Sequence, residues 1–205
     1  AWELGCCEIS EVGRARLAEL GLTARGADEL VPAADFIVFA VPDAAVRFVS
    51  RDLVPLARPD ATFMLLDPAA AMAREVKLRP DASFVVTHPC HPPLFGDETT
   101  PEARADLFGG IAARQDIVMA LMQGPDSVWK DAELLARDIF APVVEVHRIT
   151  VEQMAILEPA MAEVCAASAA MVIKEALDEA VRRGVPEAAA RSFMLGHAQV
   201  PLAIL

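Results

Sequence analysis

The chain is 205 residues long, enough for one large domain or two small ones, and 55% of it is hydrophobic, so it has the apolar mass for a sizeable core and is no disordered segment. Much of that fraction is alanine, with 9 Phe, 2 Trp and no Tyr, which favours close-packed helices over a bulky aromatic core. A formal net charge of -12 without a basic patch excludes nucleic acid and an anionic membrane surface as partners, and leaves room for a locally positive pocket that takes a small anion.

Trp2–Ile9 (WELGCCEI) reads as a strand, and Glu11–Leu20 as an amphipathic helix stopped by Gly21 at its C-cap. Asp35–Val41 (DFIVFAV) is a continuous apolar run of the kind buried on both faces of a parallel sheet. Pro42-Asp43 end it, and Ala44–Leu56 reads as the returning helix. Thr62–Leu66, closed by Asp67-Pro68, and Ser83–Thr87, running into HPCHPP at 88–93, are two further buried strands. Asp116–Gln123 follows as a later strand, Asp126–Phe140 as a helix with Asp126 at the N-cap, and Pro142–His147 as a last short strand.

This rhythm predicts an α/β fold: a Rossmann-type parallel sheet with right-handed crossovers, incomplete at the N-terminus. Near Ile149 the character changes. Val151–Arg183 has little turn chemistry and predicts a helix of about 50 Å, kinked at Pro159, ended by Gly184 and followed by another helix from Pro186. Small residues at 165–170 make this the central helix of a bundle or dimer. The expected division is therefore a dinucleotide-binding domain over 1–148 and an all-α substrate and dimerisation domain over 149–205. The chain lacks an initiator Met, and both ends are expected to be truncated. No signal peptide and no uninterrupted run of 18 apolar residues is seen. Cysteines 6, 7, 90 and 165 form no CxxC pair and read as free thiols in a reducing cytoplasm.

Several residues carry candidate chemistry. Glu8 stands at the end of the first predicted strand, where a dinucleotide-binding fold uses a carboxylate to take the ribose hydroxyls and reject a 2′-phosphate, thereby selecting NAD. The competing reading is a solvated strand end. The glycine fingerprint, some 20 residues earlier, is expected before Ala1. Val41, Pro42, Asp43 and Asp67 lie at strand ends and either form the floor of the cofactor site or simply punctuate loops. His88 and His91 share a proline-stiffened loop. Such a loop serves a catalytic or substrate-orienting imidazole, a structural histidine pair or, least well supported by ligand spacing, a metal. Cys90 reads as a small buried thiol. Glu158 sits beside the kink residue Pro159, where a carboxylate can face the cleft; the alternative is a solvated helix position. Glu152 need not share its face. Lys174 reads as a surface residue, and His147 and His197 as structural.

Taken together, ADFIVFAVPD (34–43), FMLLDPAAA (63–71), THPCHPPLFGDE (87–98) and the helical stretch over 152–186 with GHAQV (196–200) resemble the NAD-binding oxidoreductases grouped by a phosphogluconate-dehydrogenase-type C-terminal domain. That resemblance implies NAD as oxidant, a homodimer built on the long helix and oxidation of a small sugar acid or similar hydroxy acid, with His88 or His91 taking the hydroxyl proton and Glu158 orienting substrate or relaying a proton. For the sugar-acid branch it further implies oxidation of a secondary alcohol coupled to a shift in the carbon skeleton. The histidine loop is also similar to that of prephenate dehydrogenases, where a His-Pro segment precedes a Phe-Gly; here His88-Pro89 is followed by Phe95-Gly96 with three residues inserted. A prephenate-type or other hydroxy-acid dehydrogenase and a non-catalytic dinucleotide-binding regulator remain as the alternatives. No lysine lies between Val151 and Ile173, so the lysine-dependent decarboxylation of classical phosphogluconate dehydrogenases is not implied.

Overall fold

A computed structural model describes residues 2–204. In chain order the helices are α1 Glu11–Glu19, α2 Ala27–Leu30, α3 Asp43–Leu53, α4 Ala69–Met72, α5 Pro101–Ala105, α6 Trp129–Ile139, α7 Val151–Arg182 and α8 Glu187–Leu202. The strands are β1 Phe36–Phe39, β2 Thr62–Leu65, β3 Ser83–Pro89, β4 Gln115–Gln123 and β5 Val143–Arg148, side by side in that order. Each predicted apolar run from residue 35 onward becomes a strand, because aromatic and branched side chains suit a pleated surface buried on both faces. All four residues of β2 are buried. Phe63 stacks on Phe84 at 5.0 Å and leans on Phe39 at 5.6 Å. One face of the sheet is covered by α3 and by Met154 at the start of α7, the other by Ala132, Leu135 and Ala136 of α6.

β1, β2 and β3 pair in parallel, with Phe36 opposite Thr62 and Thr62 opposite Ser83. β4 departs from the expected all-parallel sheet by running antiparallel to β3, with His88 opposite Val118. A parallel strand needs a crossover to the far edge, and the connection over residues 90–114 contains only the five-residue α5, so the chain turns back at the edge where β3 ended. β5 then pairs in parallel with β4.

The N-terminal segment differs further from expectation. Trp2–Ile9 is not a strand; a single parallel bridge, Cys6 to Ala24, is all it makes of sheet pairing. α1 forms, capped by Ser10 and closed by Gly21 at φ +73°, with Leu22 N–H bonding back to the Leu17 carbonyl. It buries no residue, so the amphipathic reading is not realised: the sheet does not extend to meet it. The expected Asp126 cap is also absent. Asp126 pairs with Arg148, and α6 is entered through a 3-10 turn after Pro125.

α7 spans 32 residues, about 48 Å. Thr150 and Gln153 cap it reciprocally, and Gly184 at φ +93° closes it. Pro159 has no N–H to give the Ala155 carbonyl, and the backbone over Ile156–Ala166 widens into a π-helix. By length and composition alone α7 is able to cross a membrane: an 18-residue window has a mean hydropathy of 1.6 and none of it is buried. Glu158 and Glu163 interrupt its apolar stretch.

Candidate functional site

Because β1, β2 and β3 run parallel, their carboxyl ends meet at one edge. There residues 39–43 and 65–67 wall a cleft of about 350 Å³, with Val41, Pro42, Asp43 and Asp67 all on its lining. Pro42 halts β1 and sets the entry to α3, whose first residue is Asp43. Burial, and then the charge of the neighbouring Asp67, push the Asp43 carboxyl above the usual carboxylate range. Asp67 accepts the Ala69 N–H on Oδ1 at 2.7 Å, which fixes its side chain and leaves Oδ2 facing His88, 3.8 Å from Nδ1.

His88 is the sixth residue of β3 and its side chain is only 17% exposed. Its Nδ1 stands 2.9 Å from the Leu66 carbonyl oxygen. A carbonyl only accepts, so Nδ1 carries a proton. That Nε2 lies 3.3 Å from Glu158 Oε2, on the widened turn of α7. His91 repeats the device one loop further on. Its backbone is left-handed at φ +60°, its Nδ1 donates to the Phe108 carbonyl at 2.8 Å, and its ring lies edge-on to His88 at 6.3 Å. The loop thus presents two imidazoles held through Nδ1 by backbone carbonyls, one half-buried with Nε2 against Glu158 and one exposed.

The fold therefore gathers Asp43, Asp67, His88 and Glu158, with Val41 and Pro42 on the wall and His91 adjacent. Glu8 is not gathered with them. Its carboxylate accepts the Ser10 N–H at 2.6 Å, which holds its pKa down, and it folds over the start of α1. Glu163 was missed by the sequence reading, yet its charge reaches Asp43. Five positions separate it from Glu158, a spacing that an α-helix splits between faces and a π-turn brings closer together. No α-periodic pattern signals it.

The remaining candidates lie elsewhere. Cys90 is exposed rather than buried, and desolvation and Asp116 push its thiol up, which disfavours the thiolate a nucleophile needs. All four cysteines are free. His147 pairs with Asp116 at 3.0 Å, His197 bonds the Phe193 carbonyl at 2.9 Å, and Lys174 pairs with Asp178 on the surface.

A parallel-strand edge with a walled cleft, an imidazole loop and a carboxylate from a long helix defines an enzyme, an oxidoreductase of the Rossmann class. Residues 96–205 match the family described as phosphogluconate dehydrogenase (decarboxylating) C-term. The D-apionate oxidoisomerase of Cupriavidus necator is 46% identical over 199 residues, 97% of this chain and 72% of that protein. That of Rhizobium rhizogenes matches with the same identity and coverage. The crystal structure of a semialdehyde dehydrogenase NAD-binding protein from Cupriavidus necator, in complex with calcium and NAD, superposes with a TM-score of 0.92 at 46% identity, covering 95% of this chain and 71% of that one. The chain belongs to the D-apionate oxidoisomerase family.

Proposed function

We propose that the chain is the larger part of an NAD-dependent oxidoisomerase that converts D-apionate to 3-oxo-isoapionate. The observation that carries this reading is the pair of imidazoles oriented by backbone carbonyls at the carboxyl edge of the parallel strands, with His88 Nε2 against Glu158. NAD supplies the hydride acceptor. The residues present fit it: Val41, Pro42 and Asp43 wall a cleft at the carboxyl ends of the strands and would hold part of the dinucleotide there. The substrate's secondary hydroxyl loses its proton to an imidazole of the histidine loop, and Glu158 orients it. A carboxylate near a ring that turns cationic as it accepts a proton lowers the cost of that transfer.

The same reading makes the protein a cytoplasmic homodimer. What supports the dimer is the uncovered apolar stripe of α7, where Leu157, Met161, Val164 and Met171 are all at least half exposed and recur at spacings of four, three and seven. A second copy of the helix covers such a stripe. What supports the cytoplasm is the set of four free cysteines.

The test is NADH formation by the whole protein with D-apionate, and with prephenate as the competing hydroxy acid. D-apionate is expected to give NADH and 3-oxo-isoapionate. His88→Asn and His91→Asn are each expected to lower kcat by about 10²-fold or more. Turnover of prephenate alone, or full activity in both variants, sinks the reading.

A further inference from the structure

The middle of α7 is open to water on every side. All thirteen residues of 160–172 are exposed, and Glu163 is the only charged one among them. A surface helix carries its apolar residues along one stripe, whereas a helix that is apolar all round is buried all round. α8 returns beside the later turns, where Ile173, Leu177 and Ala180 are half-buried, and leaves residues 160–172 open. A second α7 laid along Leu157, Met161, Val164 and Met171 covers one face only. Ala169 stands two residues from Met171, about 200° round the helix, and stays in water.

This open segment adjoins the cleft. Residue 160 is two positions beyond Glu158, about 3 Å along the helix. Glu163 lies within the segment, and its charge reaches Asp43. Whatever wraps the segment therefore stands beside Glu158 and Glu163 and closes that side of the cleft. Apolar exposure continues in the loop whose Phe108 carbonyl holds His91, where Leu107, Phe108 and Ile111 are each at least 74% exposed.

We propose that the α7–α8 hairpin of a second copy covers residues 160–172 on the stripe and on the opposite face alike, and forms the cleft wall beside Glu158 and Glu163, so that the site is complete only in the dimer. The proposal rests on the dimer reading above and goes beyond it: contact along one stripe joins two finished sites, whereas wrapping builds each site from two chains. The occupant is a second copy because the hairpin offers as much covering surface as it lacks. α8 exposes Phe193, Leu195 and Val200, and at its interior Gly196 nothing beyond its own helix lies within 4 Å of the place a Cβ would take. Glycine weakens a helix interior, and here it leaves room for another backbone to come close. Residues 160–172 with the eight exposed positions over 191–200 give each copy about twenty interface residues, in keeping with the roughly 20–30 a side of a stable interface. A two-fold axis makes the exchange reciprocal, each hairpin covering and being covered. A bilayer fits less well, because it sets hydrocarbon against the Glu163 carboxylate.

The experiment labels single cysteines in the whole protein, with Cys6, Cys7 and Cys90 changed to serine and Cys165 to alanine. Ala169→Cys marks the face opposite the stripe, and Glu19→Cys, on the exposed α1, is the control. Under native conditions Ala169→Cys is expected to react with a maleimide at least roughly tenfold more slowly than the control, and to match it in urea. Adding Val164→Asp and Met171→Asp is expected to give single chains by light scattering, to abolish the protection, and to slow turnover of D-apionate at least about tenfold. A dimer in which Ala169→Cys reacts as fast as the control overturns the proposal and leaves the stripe dimer standing. Protection that persists in single chains, or full turnover by them, overturns it too. Wild type scattering as a monomer removes the dimer reading along with it. Flotation of wild type with phosphatidylcholine vesicles, lost in the aspartate variant, replaces the second copy by a bilayer. Protection in a dimer that turns over no sugar acid leaves the shared wall standing and removes the sugar-acid reading.

Discussion

Single side chains decide the chemistry here through the hydrogen bonds that orient them. His88 and His91 each spend Nδ1 on a backbone carbonyl, so both present the same nitrogen outward. The carbonyl that His91 uses belongs to Phe108, in a loop tied together by Asp106. The Asp106 carboxylate accepts the backbone N–H groups of Ile111, Ala112 and Ala113 at 2.9–3.0 Å, which hold its pKa below the usual range. A carboxyl whose pKa is lowered by folding leaves the unfolded chain binding more protons. Its contribution is therefore complete above the ordinary Asp range, near pH 4, and is lost as pH falls through the folded value. Asp106→Asn is expected to be less stable than wild type at pH 7, with a narrower gap at pH 3. Urea unfolding at the two pH values measures it, and a gap that stays constant refutes the assignment. The loop also supports His91, so the same variant is expected to lose activity at pH 7.

At the scale of elements, α7 is the one that carries both stability and chemistry. Its capping box joins Thr150 and Gln153 reciprocally, and Thr150→Ala is expected to cost about 1 kcal/mol in chemical denaturation. Pro159 acts differently. It denies the helix one hydrogen bond, and Glu158 lies on the widened turn that results. Pro159→Ala restores an N–H and a better helix former, so the thermal midpoint is expected to hold or rise while kcat falls as Glu158 moves away from His88. Unchanged kcat would mean that the π-turn has no part in placing Glu158. The antiparallel β4 matters for a related reason: by turning back at the edge where β3 ends, it lays the connecting loop, with His91 and Phe108, over the cleft edge.

For the whole molecule, the sheet core sets the stability and the exposed stripe of α7 sets the association. Phe63 is fully buried between Phe39 and Phe84, and Phe63→Ala is expected to cost about 3–5 kcal/mol by cavity formation. A loss under 1 kcal/mol in urea unfolding would contradict that packing. The dimer reading makes a separate prediction. Replacing Val164 and Met171 by aspartate places two charges within the stripe, and light scattering is expected to report single chains where wild type gives pairs. Wild type scattering as a monomer ends that reading.

The sequence by itself determined the buried strands from residue 35 onward, the glycine stops of α1 and α7, and the residue types at the strand ends, because apolar runs and turn chemistry are local properties. It also supplied Asp43, Asp67, His88 and Glu158 as candidates, though as separate ones. Only the tertiary structure decided that these four share one cleft, that Glu8 stays outside it, and that Trp2–Ile9 forms no strand. It alone decided that β4 reverses and that Glu163 joins Glu158 on a π-turn. Each of those outcomes depends on contacts between residues far apart in the chain, or on a helical period that a proline changes, and neither leaves a mark on any short stretch of residues.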